Sequence, residues 1–222
     1  MCCVCTDYQT NYLITDTYFM RLKSELLAEL HQHPDVILLM QEVQAVLAQE
    51  TEKRRVFRES SIAAEFINGE IVYHSPVRRR HWKAVGNLYA RLHAFVQMHD
   101  LGEVGSEKVM IGLTRNDYEP DIVFFGKEKT ISVTDEQLLF PAPDFVVEVL
   151  SDSTEKTDRN EKFVDYAAHG VAEYWIIDPE KQTVEQYLNR NQTFELFQKL
   201  HKGNLEAVAV PGFAVDLTDI FA

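Results

Sequence analysis

The sequence predicts an α/β fold: a mixed central sheet flanked by helices, preceded by a helical hairpin and followed by antiparallel strands. Three observations predict it. Residues 78–99 carry apolar residues at three- and four-residue spacing, the mark of one amphipathic helix. Between residues 103 and 178 the period switches to short apolar runs bounded by Pro, Asp or Ser, with one more helical stretch among them. This helix, three strands, helix, strand order is that of a layered α/β core.

Taken in order, Phe19, Leu22, Leu26, Leu27 and Leu30 form a first helical pattern. Pro34 separates it from a second, Val36 to Leu47. The two form a hairpin whose apolar faces need cover from the main domain or from a second copy of the chain, which makes a homodimer through this hairpin an expectation. Residues 51–59, dense in charge, read as a connector. The expected division is therefore an N-terminal extension, 1–59, and one domain, 60–222. Ala64 to Tyr73 holds two strand patterns around Asn68-Gly69, the signal for a type I′ hairpin. The helix from Arg78 to His99 presents Trp82, Val85, Leu88, Tyr89, Leu92, Phe95 and Val96, and Gly102 ends it. Strands follow from Glu103 to Leu113, at Asp121–Phe125 and at Asp144–Ser151. A further helix, opened by Asp158 with Glu161 three residues on, closes at Gly170. Residues 173–178 make another buried strand. Thr183–Leu188, Thr193–Lys199 and Leu205–Val210 read as antiparallel strands.

With 222 residues the chain can bury one substantial core. No apolar run approaches the roughly 20 residues that span a bilayer, so no membrane is expected. Cys2, Cys3 and Cys5 crowd one end, which is no disulfide framework and fits a cytoplasmic protein. A net charge of −13 excludes coating of nucleic acid by bulk electrostatics. It leaves room for local basic surfaces, at Lys53-Arg54-Arg55 with Arg58 and at Arg78 to Lys83. No glycine-rich phosphate loop, dinucleotide fingerprint or nucleophile elbow is present.

The informative residue is Glu148, an acid inside the apolar run PDFVVEVLS (143–151). A buried carboxylate is costly unless a cation or donors meet it. Asp121 opens a similar run after Pro120. If the two strands are neighbours, both acids reach one divalent ion, which prefers oxygen ligands. Each has a plainer reading: Asp121 as a turn-capping residue, Glu148 as half of a buried ion pair.

The ordered set AEFINGEIV (64–72), Ser75-Pro76 before a helix with His81, PDIVFF (120–125), PAPDFVVEVLSDST (141–154), DRNEKFVDYAAHGV (158–171) and EYWIIDP (173–179) resembles the Uma-two family of the PD-(D/E)xK restriction-endonuclease-like superfamily, from about residue 60 onward. The resemblance implies a restriction-endonuclease-like core and Mg²⁺-dependent hydrolysis of DNA phosphodiesters, with Mn²⁺ as a substitute. Asp121 and Glu148 match the motif's metal-binding acids, with Glu70 a candidate further ligand. The motif's lysine position holds Leu150, and Lys162 on the following helix matches a displaced lysine, with Lys156 as the nearer alternative. Lys162, Tyr166 and His169 would share one side of that helix. Arg79, Arg80, His81 and Lys83 are the expected DNA contacts. The rival expectation is a nuclease-like module that binds or assembles without cutting.

Overall fold

The computed structural model describes residues 24–60 and 62–222. The cysteines, Phe19 and Leu22 lie outside the described residues. The chain divides into two compact units between Val56 and Phe57. In the first, residues 24–32 (α1) are helical, and α2 runs Val36–Glu59 across the unit boundary. Residues 51–59, expected as a connector, thus continue the helix, because the segment lacks any Gly or Pro to stop it. Leu26, Leu27, Ile37, Leu38, Met40, Val43 and Val46 are exposed.

The second unit contains two main sheets, with buried clusters on both faces of the larger one, and a two-stranded ladder. Its larger sheet has six strands: β3 (Gly102–Ser106), β6 (Ile122–Gly126), β8 (Phe145–Val149), β9 (Glu173–Asp178), β10 (Thr183–Arg190) and β11 (Thr193–Leu200), in the order β11-β10-β9-β8-β6-β3. Only β8 and β9 pair in parallel, so the sheet is mixed. The smaller sheet is β2-β1-β5-β4-β7, from β1 (Ala64–Ile67), β2 (Glu70–Tyr73), β4 (Met110–Gly112), β5 (Asp117–Tyr118) and β7 (Leu139–Phe140). The expected single strand from 103 to 113 is two, β3 and β4, in different sheets. The chain turns between them at Glu107 and Lys108, both at positive φ. β12 (Asn204–Glu206) and β13 (Ala214–Asp216) form a separate ladder. The expected strand at Leu205–Val210 is therefore only its first residues.

Side-chain alternation explains how the large sheet is covered on both faces. Phe145, Val147, Val149, Ile122, Phe124, Trp175 and Ile177 meet α3 (Arg79–Met98) and the C-terminal segment ending in α7 (Leu217–Phe221). Val146, Leu150, Val123, Phe125, Tyr174 and Ile176 meet Ile67, Ile111 and Tyr118 of the small sheet and Tyr166 of α6 (Glu161–Ala168). Glu148 shares this second face by parity with Val146. The buried stripe of α3 runs His81, Ala84, Val85, Leu88, Leu92, Val96. Trp82, expected in the stripe, is 52% exposed, because His81 takes the inward place in the first turn.

The Asn68-Gly69 turn has φ of 51° and 85°, as a type I′ hairpin requires. The helix expected from Asp158 is instead two: α5 (Glu155–Arg159) and α6, broken at Asn160, whose φ, ψ are −122°, −79°. Asp158 is therefore no cap. It is buried in the last turn of α5 and turned inward. The short α4 (Lys127–Thr130) lies in the link from β6 towards β7 and β8.

Candidate active site

β6 and β8 are antiparallel neighbours with Ile122 opposite Val147. One step further along that register, Asp121 comes opposite Glu148. Asp121 Oδ2 accepts the Val149 N–H at 2.7 Å and lies 3.5 Å from His81 Nε2. Glu148 is 3% exposed. Its Oε1 accepts from Lys162 Nζ at 3.0 Å and from the Tyr166 hydroxyl at 3.2 Å. Lys162, 2% exposed, comes from the first turn of α6, and its stem carries the ammonium to the strand. Glu65 Oε1 and Asp158 Oδ1 also face Lys162 Nζ, at 2.9 and 3.2 Å, and the ammonium lies 5.8 Å from the centre of the Tyr118 ring.

Three carboxylates thus share one ammonium, and Asp121 acts on two of them, Glu148 and Asp158. Burial, then the charges of Asp158, Asp121 and Glu65, push the Glu148 carboxyl well above its ordinary value, against the pull of Lys162. Burial also raises Asp158, helped by Asp121 and Glu65. For Lys162, burial works to discharge the amine. Glu148, Glu65 and Asp158 outweigh it, so its pKa lies well above the usual lysine range. His81 is likewise raised despite burial, through Asp121, and its Nδ1 is buried without a hydrogen-bond partner.

The expected residues divide into groups. Asp121, Glu148, Lys162, Tyr166 and His81 come together here. His169 turns away: its Nε2 accepts from the Thr114 N–H at 3.1 Å. Lys156 is exposed on α5. Glu70, paired with Ile67 beside the turn, is exposed, and the hairpin acid that reaches Lys162 is Glu65. Glu65 gave no local signal in the sequence because an acid in a four-residue hairpin strand reads as a side chain pointing to solvent. Its one signal is position: β1 is buried on both faces, with Ala64 and Phe66 against Phe57 and Ile67 in the larger core.

Beside the acids, where β8 and β9 end, a cleft is lined by Arg78, Arg80, His81, Ser151, Asp178 and Lys181 among others. Arg78 pairs with Asp152 at 2.5 Å and Arg80 with Glu180 at 2.9 Å. Arg79 is exposed and Lys83 partly so.

Carboxylates in excess over cations, one of them partly exposed, suit a hard divalent ion in donor type and charge. Among the described residues no three His, Cys, Asp or Glu converge in ligand geometry. Nor is any helix among them long and apolar enough to cross a membrane.

A mixed sheet with α3 on one face and α6 on the other makes the chain a mixed α/β protein with its acids on neighbouring central strands. The crystal structure of a "putative nuclease belonging to DUF820" from Anabaena variabilis ATCC 29413 is similar at 20% identity, with a TM-score of 0.61, over 71% of this chain and 89% of that one. The family profile described as Uma2, "Putative restriction endonuclease", matches residues 48–218, and the chain belongs to that family. No curated protein matches it.

Proposed function

We propose that the protein is a Mg²⁺-dependent DNA endonuclease of the cytoplasm, in which Asp121 and Glu148 hold the ion, with Mn²⁺ as a substitute. The observation that carries this reading is the 3.0 Å contact of Lys162 Nζ with Glu148, a lysine brought to the second acid although the strand itself holds Leu150. Bound there, the ion would supply a water of lowered pKa and polarise the scissile phosphate. Lys162 steadies the negative charge that develops on the phosphate, and its raised pKa keeps it an ammonium at neutral pH. Glu148, which holds its proton more tightly than an ordinary carboxyl, must release it to act as a ligand. Ion binding therefore strengthens as pH rises.

His81 holds Asp121 from the cleft side, while Arg79, Arg80 and Lys83 contact the DNA backbone and supply affinity rather than sequence choice. Plasmid cleavage by the full chain in Mg²⁺ or Mn²⁺ tests the assignment. Wild-type protein is expected to cut, and D121A and E148A are not. Undiminished cutting by either variant sinks it.

A second reading, binding without cutting, is favoured by the lack of three convergent ligands among the described residues. Calorimetry with Mn²⁺ separates the two, since this reading requires no binding that depends on Asp121.

A further inference from the structure

Glu65 belongs to none of the roles assigned above, yet it is an acid only 2% exposed. A single oxygen, Oε1, receives both the Lys162 ammonium at 2.9 Å and the Glu119 N–H at 2.9 Å. Glu119 is two residues before Asp121, and Lys162 is the partner of Glu148. One carboxylate oxygen thus ties the segment carrying the first acid to the lysine serving the second. An ammonium has three N–H donors. Three carboxylates face this one: Glu65 from the hairpin, Glu148 from β8 and Asp158 from α5. Without Glu65, the flexible four-carbon stem has only Glu148 and Asp158 to share.

We propose that Glu65 is a positioning residue that fixes the Lys162 ammonium at the Glu148 carboxylate and so couples the β1–β2 hairpin to the chemistry. This deepens the nuclease reading and rests on it for the consequence in turnover. The placement of Lys162 itself can be read without any cleavage.

E65Q is the decisive variant. Its amide oxygen can still accept the Glu119 N–H, while the charge facing Lys162 is gone. Acetylation of the full-length protein, followed by peptide mass spectrometry, reports how often the buried Lys162 amine becomes reachable, against exposed Lys202. The groups that remain around the amine are Glu148, Asp158, Tyr118 and Tyr166. With one of its three facing carboxylates gone the ammonium is held less firmly and leaves its buried place more often, so E65Q is expected to label Lys162 several times faster than wild type. Its thermal midpoint should stay near wild type.

In cleavage assays E65Q should lose kcat by about tenfold or more with KM for DNA unchanged. Calorimetric Mn²⁺ affinity should hold. Labelling at the wild-type rate overturns the proposal. So does a large loss of Mn²⁺ affinity with labelling unchanged, which would make Glu65 a ligand. Should E65Q fail to fold, E65D keeps the charge but withdraws it by one methylene; faster labelling is again expected, and the wild-type rate overturns the proposal. Wild-type protein that cuts no DNA would remove the nuclease reading while leaving the labelling result to judge Glu65.

Discussion

Two buried glutamates on neighbouring strands, Glu148 on β8 and Glu173 on β9, answer the same problem in opposite ways. Both are pushed above the ordinary carboxyl value, first by burial. Glu173 is surrounded by neutral donors: Trp175 Nε1 at 2.6 Å and Gln186 Nε2 at 2.5 Å on one oxygen, the Val208 and Ala209 N–H groups at 2.7 and 2.6 Å on the other. Those bonds fasten the segment after β12 to the sheet. Glu148 instead meets one ammonium, one hydroxyl and the charges of three other acids. A carboxylate saturated by uncharged donors is an anchor. One left among like charges keeps a surplus of negative potential, which a tightly held proton or a further cation relieves.

Glutamine substitutions should pull the two apart. E148Q removes the charge but leaves an oxygen for Lys162 and Tyr166, so cleavage should fall about a thousandfold in a plasmid assay while the urea midpoint barely moves. K162M removes the cation from among three acids and should cost roughly 3 to 5 kcal/mol of stability near neutral pH. That loss should shrink as the solution is acidified. The acids of the variant hold protons in the folded state that the unfolded chain has already released, so stability rises as pH falls towards the ordinary carboxyl range. A loss independent of pH would mean that the acids are not what Lys162 balances.

E173Q places an amide N–H₂ where one oxygen accepted two donors. It should cost about 2 to 3 kcal/mol in urea unfolding while leaving turnover per folded molecule intact. Loss of turnover at unchanged stability would erase the contrast between the two sites. The smallest effect belongs to R79A and K83A. Each should weaken DNA binding across all sequences and reduce the salt slope by about one, measured by fluorescence anisotropy in Ca²⁺.

Local signals were legible wherever one residue type decides the backbone or the burial. Asn68-Gly69 dictated its turn, and an acid within FVVEV announced its own cost. The family resemblance singled out Lys162 on the segment after that strand. Signals requiring distant partners were silent. Glu65 lies 97 positions before Lys162 (162 minus 65) and its meaning depends on a contact that no local pattern encodes. Asp158-to-Glu161 has the spacing of a capping box, yet the chain breaks at Asn160 and Asp158 faces the lysine from the last turn of α5 instead. The split of residues 103–113 between two sheets rests on a turn through Glu107 and Lys108, neither of which marks a positive φ in sequence. Trp82 and His81 exchanged their expected places because neighbouring positions at the edge of a helical stripe differ by only one residue in phase.

Leucine at position 150 has a consequence for local motion. It packs in the same core as Tyr166 and Ala167 of α6, so the helix that brings the lysine is held in part by the residue that replaces it on the strand. A lysine on β8 would stay near the acids for as long as the sheet existed. A lysine on α6 is present only while that short helix is seated, and each transient lifting of residues 161–168 strips the acids of their cation in the same event. Amide exchange along this helix is therefore a direct gauge of how often the site is intact.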